Sequence, residues 1–183
     1  MQRHTMTIAD ATVIIETKDG FPKTRYRQGT ARPPTARPPE ELRAAVRLIE
    51  DFIARRTIDR SAIARLLPDS PPFHAACWRA ALTIPAGETR TYGWLAAAAG
   101  RPKAPRAAAA AMARNPLAPL VPCHRVVSAS GLGGFCGAME RTSAAAPKHW
   151  ALLMKLRMIE LESEDSYTRP ASKHNSRKKA LHR

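Results

Sequence analysis

The chain has 183 residues, long enough for one full domain and one small one with a buried core. Its 30 Lys and Arg against 15 Asp and Glu give a formal net charge of +15 at pH 7, an excess that makes a polyanion, and nucleic acid before others, the expected partner. No apolar run approaches the roughly 18–20 residues that cross a bilayer, and the first residues lack the apolar core of a signal peptide. Cys77, Cys123 and Cys136 are spaced for neither a disulfide framework nor a zinc site. The expectation is a cytoplasmic protein in a reducing compartment, with no metal and no membrane association.

In chain order, Thr12-Val13-Ile14-Ile15-Glu16 is β-branched enough for a strand, and Lys18-Asp19-Gly20 turns it back into Phe21–Gln28 as an antiparallel hairpin. A tandem follows, Thr30-Ala31-Arg32-Pro33-Pro34 and Thr35-Ala36-Arg37-Pro38-Pro39, whose prolines keep residues 30–39 extended as a linker. From Glu40 to Arg56, Leu42, Ala45, Val46, Ile49, Phe52 and Ile53 recur at helical spacing between charges, the pattern of a helix that covers the hairpin. After a short helix over Ser61–Leu67, Pro68-Asp69-Ser70-Pro71-Pro72 punctuates the chain as a boundary does. The expected organisation is a small N-terminal α/β domain over residues 1–68, a second domain over 69–165 and a tail over 166–183.

Phe73–Thr83 reads as a helix with Phe73, Ala76, Cys77, Ala80 and Ala81 on one stripe, which makes Cys77 a small buried residue. Ile84-Pro85-Ala86-Gly87 is a turn, Thr91–Gly100 a helix closed by glycine, Arg101–Pro105 a break, and Arg106–Arg114 an alanine-rich helix. Two short helices around a tight turn suit a helix-turn-helix, and equally any αα-hairpin. Ala107 to Ala111 admit two readings: small side chains that let a helix press into a narrow groove, or simply the best helix formers.

The second helix runs into Asn115-Pro116-Leu117-Ala118-Pro119-Leu120-Val121-Pro122-Cys123-His124-Arg125-Val126-Val127. Its prolines exclude a regular helix, so it is expected to cross the core as an extended segment that holds Cys123 in a fixed conformation. An imidazole can take a thiol's proton and leave a strong nucleophile. Neighbouring side chains of an extended segment point apart, so a water bridge between Cys123 and His124 is the expected geometry. A cysteine peptidase would need an orienting Asn or Asp and an oxyanion hole, and the sequence displays neither. Residues 128–137 are glycine-rich without the order of a phosphate loop. A last helix spans Lys148–Leu161, with Leu152, Leu153, Leu156 and Ile159 expected on its buried face. Beyond Glu162, Arg169, Lys173, Arg177, Lys178, Lys179 and Arg183 make a basic tail, read as disordered.

Pro122-Cys123-His124-Arg125-Val126 after Asn115-Pro116, with Phe73, Trp78, Ile84-Pro85-Ala86-Gly87, Thr91-Tyr92-Gly93 and Arg106, resembles the O6-alkylguanine-DNA alkyltransferases (methylated-DNA–protein-cysteine methyltransferases) over roughly Pro72 to Leu156. The resemblance implies an α/β (α+β) fold, a small strand-and-helix lobe followed by a mainly helical, winged helix-turn-helix-like lobe. It implies that Cys123 takes the alkyl group from O6 of guanine, with His124 as base through water, and that the thioether is permanent, with no cofactor. Arg106 would enter the duplex in place of the everted base, Tyr92 would crowd the target phosphate and donate its hydroxyl, and Asn115 would tie the helix pair to the active segment. Val126, Phe135 and Cys136 would line the base pocket. The implied partner is double-stranded DNA containing O6-alkylguanine, met by a monomer.

Three departures accompany the match. Such proteins have a glutamate one turn after a Leu-Leu pair in the last helix, and counting from Leu152-Leu153 that position is Leu156, with Glu160 a further turn on. Phe135 stands where tyrosine is common. The loop from Cys123 to Phe135 is one residue short, and Thr142–Pro147 lengthens the connector that follows. A missing carboxylate would weaken His124 as a base, which opens the alternative of a protein that binds alkylated DNA and transfers poorly or not at all.

Overall fold

The structure is a computed structural model that describes residues 2–8, 11–30, 37–134 and 148–168, the backbone alone at 148, 149 and 164–168. Phe135, Cys136, the Thr142–Pro147 connector, most of the proline tandem and the basic tail lie outside the described residues.

Three strands, β1 (Arg3–Ile8), β2 (Ala11–Lys18) and β3 (Phe21–Gln28), form an antiparallel sheet in the order β1-β2-β3. The expected hairpin is β2–β3; β1 adds a strand that the sequence reading passed over, because its inward positions include the polar His4. Asp19 and Gly20 both take positive φ, 50° and 79°, the geometry of a two-residue hairpin turn that follows the strands' twist. Ala11 through Glu16 are all buried, so β2 is covered on both faces.

After a 3₁₀ turn at Glu40–Leu42, α1 (Arg43–Ile53) buries Ala45, Val46 and Ile49 of the expected stripe and Leu48 beside them, while Ile53 at its end is exposed because the stripe runs out past the core. Helix α2 (Arg60–Arg65) starts where the Asp59 carboxylate accepts from the Ser61 N–H at 2.8 Å. Helix α3 (Pro72–Leu82) begins with proline at its first position, where the missing N–H costs nothing. The helix pair follows as α4 (Tyr92–Ala98), capped by Thr91 through the Trp94 N–H, and α5 (Pro105–Ala113). Trp78 Nε1 donates to the Ala111 carbonyl at 2.9 Å and binds α3 to α5. Ala108 and Ala111 are buried in the core while Ala107 is exposed, so the alanine run serves packing on one side and leaves a low-relief surface on the other. One continuous buried core joins the sheet, α1 and the helices beyond residue 72.

The Asn115–Val127 stretch corrects the expectation of an extended segment. It folds back on itself: Val121 N–H reaches Leu117 O at 2.9 Å, and Cys123–Arg125 form a 3₁₀ turn. Only β5 (Val126–Val127) is extended, pairing in parallel with β4 (Arg90–Thr91). The reason is local: three prolines remove donors, and the buried Asn115 supplies substitutes, donating from Nδ2 to Val121 O at 2.7 Å and accepting from Leu117 N–H at 3.0 Å.

The last helix, α6 (Lys148–Thr168), also differs in its buried face. Trp150, Ala151, Met154, Lys155 and Met158 point inward, while Leu153 and Leu156 are 49% and 37% exposed. A lysine in the middle of the inner stripe disguised the true face in the hydrophobic pattern. Among the described residues no helix is long and apolar enough to cross a membrane.

Because two buried hydrogen bonds of Asn115 hold the folded-back segment, Asn115→Ala is expected to lower the unfolding free energy by about 2–4 kcal/mol. Urea denaturation followed by circular dichroism measures this, and an unchanged midpoint would mean that the prolines alone hold the segment.

Candidate active site

Cys123 opens the 3₁₀ turn, 7% exposed, with its N–H on Val121 O at 2.8 Å. Burial pushes its thiol above the ordinary value; the Asn115 side chain, the Lys155 charge and the backbone N–H groups of Cys123 and His124 pull the other way without prevailing. Tyr26 of β3 is fully buried, and its phenol is pushed well up first by burial and then by Cys123. The N-terminal sheet is thus near enough for the two charges to interact.

His124 has no exposed surface. Its Nε2 lies 2.9 Å from Glu162 Oε1, and the Phe52 ring of α1 meets the imidazole edge-on at 6.0 Å. Its Nδ1 is buried with no hydrogen-bond partner among the described residues. With Nε2–H assigned as donor to the carboxylate, Nδ1 is the free basic nitrogen. Burial holds His124 below its ordinary pKa, and Glu162 offsets that only in part.

Glu162 has further partners: Arg125 donates from Nε to Oε2 at 2.9 Å and from Nη2 to Oε1 at 2.8 Å, and the Gly87 N–H approaches Oε2 at 3.3 Å. Burial opposes its charge, but His124 and Arg125 outweigh it and bring the carboxyl down to about 2. Arg125 is fixed in turn by the Ile84 carbonyl, 2.6 Å from Nη1.

This geometry corrects the reading of the last helix. The carboxylate behind His124 is present, and it is Glu162. Leu156 lies on the outer face, and Glu160 pairs with Arg157 at 3.7 Å on the surface. The signal in the sequence was the apolar pair Met158-Ile159, one turn before Glu162; counting from Leu152-Leu153 started the register too early.

Lys155, two turns before Glu162, was also missed. It is fully buried, and its Nζ donates to the carbonyls of Val126 at 2.6 Å, Leu132 at 2.6 Å and Gly134 at 3.1 Å. Burial brings its pKa to about 8, with Cys123 acting in the opposite sense. The ammonium thus holds the strand after the cysteine and the glycine loop together at the thiol's side. Its i, i+7 spacing from Glu162 was the available clue.

The structure gathers Cys123, His124, Asn115 and Val126, with Tyr92 at the edge. Tyr92 is half-buried at the first position of α4, its hydroxyl donating to Gly134 O at 3.3 Å and its ring 5.8 Å from Lys155 Nζ. Arg106 stands apart, exposed near the start of α5. No cluster among the described residues is suited to a metal. Chemically, the arrangement is a sheltered thiol beside a neutral imidazole whose far nitrogen rests on an ionised carboxylate, next to a helix-turn-helix.

Comparison with known proteins agrees with this geometry. The family described as 6-O-methylguanine DNA methyltransferase, DNA binding domain, matches residues 72–163, half of the chain. A methylated-DNA–protein-cysteine methyltransferase of Methanosarcina acetivorans is 42% identical over 102 residues, covering 55% of this chain and 64% of its own length. The chain thus spans less than two thirds of the curated relatives it matches. Among solved structures, the Mycobacterium tuberculosis O6-methylguanine methyltransferase superposes with a TM-score of 0.61 at 26% identity, covering 93% of this chain and 95% of that one. The same organism's protein in complex with DNA superposes with a TM-score of 0.58 at 27% identity, over 90% and 94% of the two chains. The chain belongs to the 6-O-methylguanine DNA methyltransferase family.

Proposed function

We propose that this protein repairs double-stranded DNA by moving a methyl or small alkyl group from O6 of guanine onto Cys123, once per molecule. The observation that carries the reading is the Glu162–His124 hydrogen bond immediately behind a sheltered cysteine. It also removes the motive for the alternative of a protein that binds the lesion without reacting, since that rested on a missing glutamate.

At rest, burial favours the neutral thiol and the neutral imidazole. When the lesion binds, the thiol proton passes through a bridging water to His124 Nδ1, and the imidazolium is held by Glu162. The thiolate, with the Lys155 charge nearby, attacks the alkyl carbon; the S–C bond forms as the C–O6 bond breaks. The guanine gains the electron pair, and the Tyr92 hydroxyl donates a hydrogen bond to it. The product is a thioether that water does not cleave, which makes the protein reagent and acceptor together, with no cofactor.

Reaching O6 requires the base to leave the stack. Arg106, exposed on α5, takes its place in the duplex, and Asn115 couples α5 to the reactive turn. The relative solved with DNA and the formal charge of +15 support a DNA partner. In this reading residues 69–165 carry the chemistry, residues 1–68 cover it, and the protein works as a cytoplasmic monomer whose pocket also uses Val126, Phe135 and Cys136.

Incubation with duplex DNA carrying one O6-methylguanine is expected to add about 14 Da, a CH₂ increment, to the intact protein, with nothing added to Cys123→Ala. An unchanged mass in the wild-type protein would overturn the proposal. Single-turnover rates against pH test the relay. Because the His124 pKa is lowered, the basic imidazole persists as pH falls, and the acid limb of the profile is expected below about 6.5, the ordinary imidazole value. Glu162→Gln removes the group that raises it, so the limb should move further down in pH while the plateau rate falls about 10- to 100-fold. A plateau unaffected by Glu162→Gln would exclude the relay.

A further inference from the structure

A cavity of about 900 Å³ opens between the end of α1, the loop before α2, α2 itself and α6. That is ample for a small organic molecule. It is distinct from the thiol's own surroundings: Pro122, Arg125 and Glu162 are among its lining residues, and Cys123, Tyr92 and Val126 are not. Its floor is apolar, built from Phe52, Ile63, Leu82, Leu120, Met158 and Leu161.

Among the described residues its lining carries Arg55, Arg56, Arg60, Arg125 and Arg157 against Asp59 and Glu162. Arg125 is satisfied by Glu162, Arg56 by Asp51 at 2.6 Å and Arg157 by Glu160 at 3.7 Å, and Arg55 is engaged as well. The Arg60 side chain is exposed and makes no hydrogen bond or ion pair among the described residues. Its neighbour Asp59 is engaged with Ser61 at 2.8 Å and with Arg65 at 3.7 Å. An apolar chamber with an exposed, unpaired guanidinium among its lining residues suits an apolar body bearing an anionic head that a planar fork of N–H donors can grip. We propose that this cavity binds a small amphipathic anion, carboxylate- or phosphate-headed, with its apolar part on the Phe52–Met158 floor and its head at Arg60.

Binding as such does not depend on alkyl transfer. The consequence for reactivity rests on that reading: Phe52 touches both the cavity and the His124 ring, and Glu162 and Arg125 form part of the wall. Occupancy is therefore felt at the base.

Isothermal titration of the full chain with decanoate, decyl phosphate, decan-1-ol and decyltrimethylammonium, all below micellar concentrations, tests the site. Decanoate or decyl phosphate should bind saturably at one per chain, and the tighter of the two names the headgroup. The alcohol and the cation should bind about tenfold more weakly or worse, the worth of one charge-assisted hydrogen bond. Arg60→Glu should weaken the anion by at least about that factor, and Leu161→Trp, which fills the chamber, should abolish binding, with thermal melting verifying that both variants are folded. Equal binding of decanoate and decan-1-ol, no saturable binding of either anion, or unchanged affinity in either variant would overturn the proposal.

Discussion

The carboxylate of Glu162 is where the parts of this structure meet. A buried charge without partners costs several kcal/mol, so everything around Glu162 is arranged to satisfy it: His124 and Arg125 from the 3₁₀ turn, and the Gly87 N–H from the turn after α3. Three segments distant in sequence are thereby locked into one register. Gly87 explains its own identity. Its φ is +78°, and a Cβ there would sit 3.2 Å from the Glu162 carbonyl oxygen, so only glycine lets this turn approach α6 closely. Arg125 completes the lock by reaching the Ile84 carbonyl of the same turn.

Around that carboxylate the site is balanced to be quiet until used. Burial disfavours both the thiolate and the imidazolium, while Glu162 and the Lys155 ammonium favour the charged pair from either end. A thiol held neutral in this way resists stray oxidation, since the thiolate is the reactive form. Lys155 has a second role. By taking the carbonyls of Val126, Leu132 and Gly134 onto one ammonium, it fixes a glycine-rich loop that has few side chains of its own to pack.

The N-terminal sheet is part of this arrangement and not a detached module. Thr24 of β3 donates from its N–H and its hydroxyl to the Pro116 carbonyl, at 2.7 and 3.2 Å. Tyr26, two residues on and on the same face, couples electrostatically to Cys123, and Phe52 of α1 meets His124 edge-on. The turn that carries Cys123 is thus held by Asn115 on the helical side and by β3 and α1 on the other.

Much of this was legible in the chain alone. Local signals are strong where chemistry is local: Asp19-Gly20 for a hairpin turn, the stripe of α1, the glycine- and proline-bounded pair α4 and α5, and Cys123-His124 beside Asn115. What escaped was set by contacts over long distances in sequence. Strand β1 needed β2 as a partner to declare itself. The folded-back path after Asn115 depends on side-chain hydrogen bonds that replace those the prolines cannot make. The inner face of α6 carries Lys155, whose burial only the three carbonyls can justify. With that face unrecognised, the pattern points to Leu156 or Glu160 for the acid behind His124, six and two residues before the glutamate that stands there. The sequence by itself determined the thiol, the imidazole, the helix pair and the positive surface. The tertiary structure decided that Glu162 and Lys155 complete the site, because a helix joins a site by the rotation at which it packs, and packing is a property of the whole core.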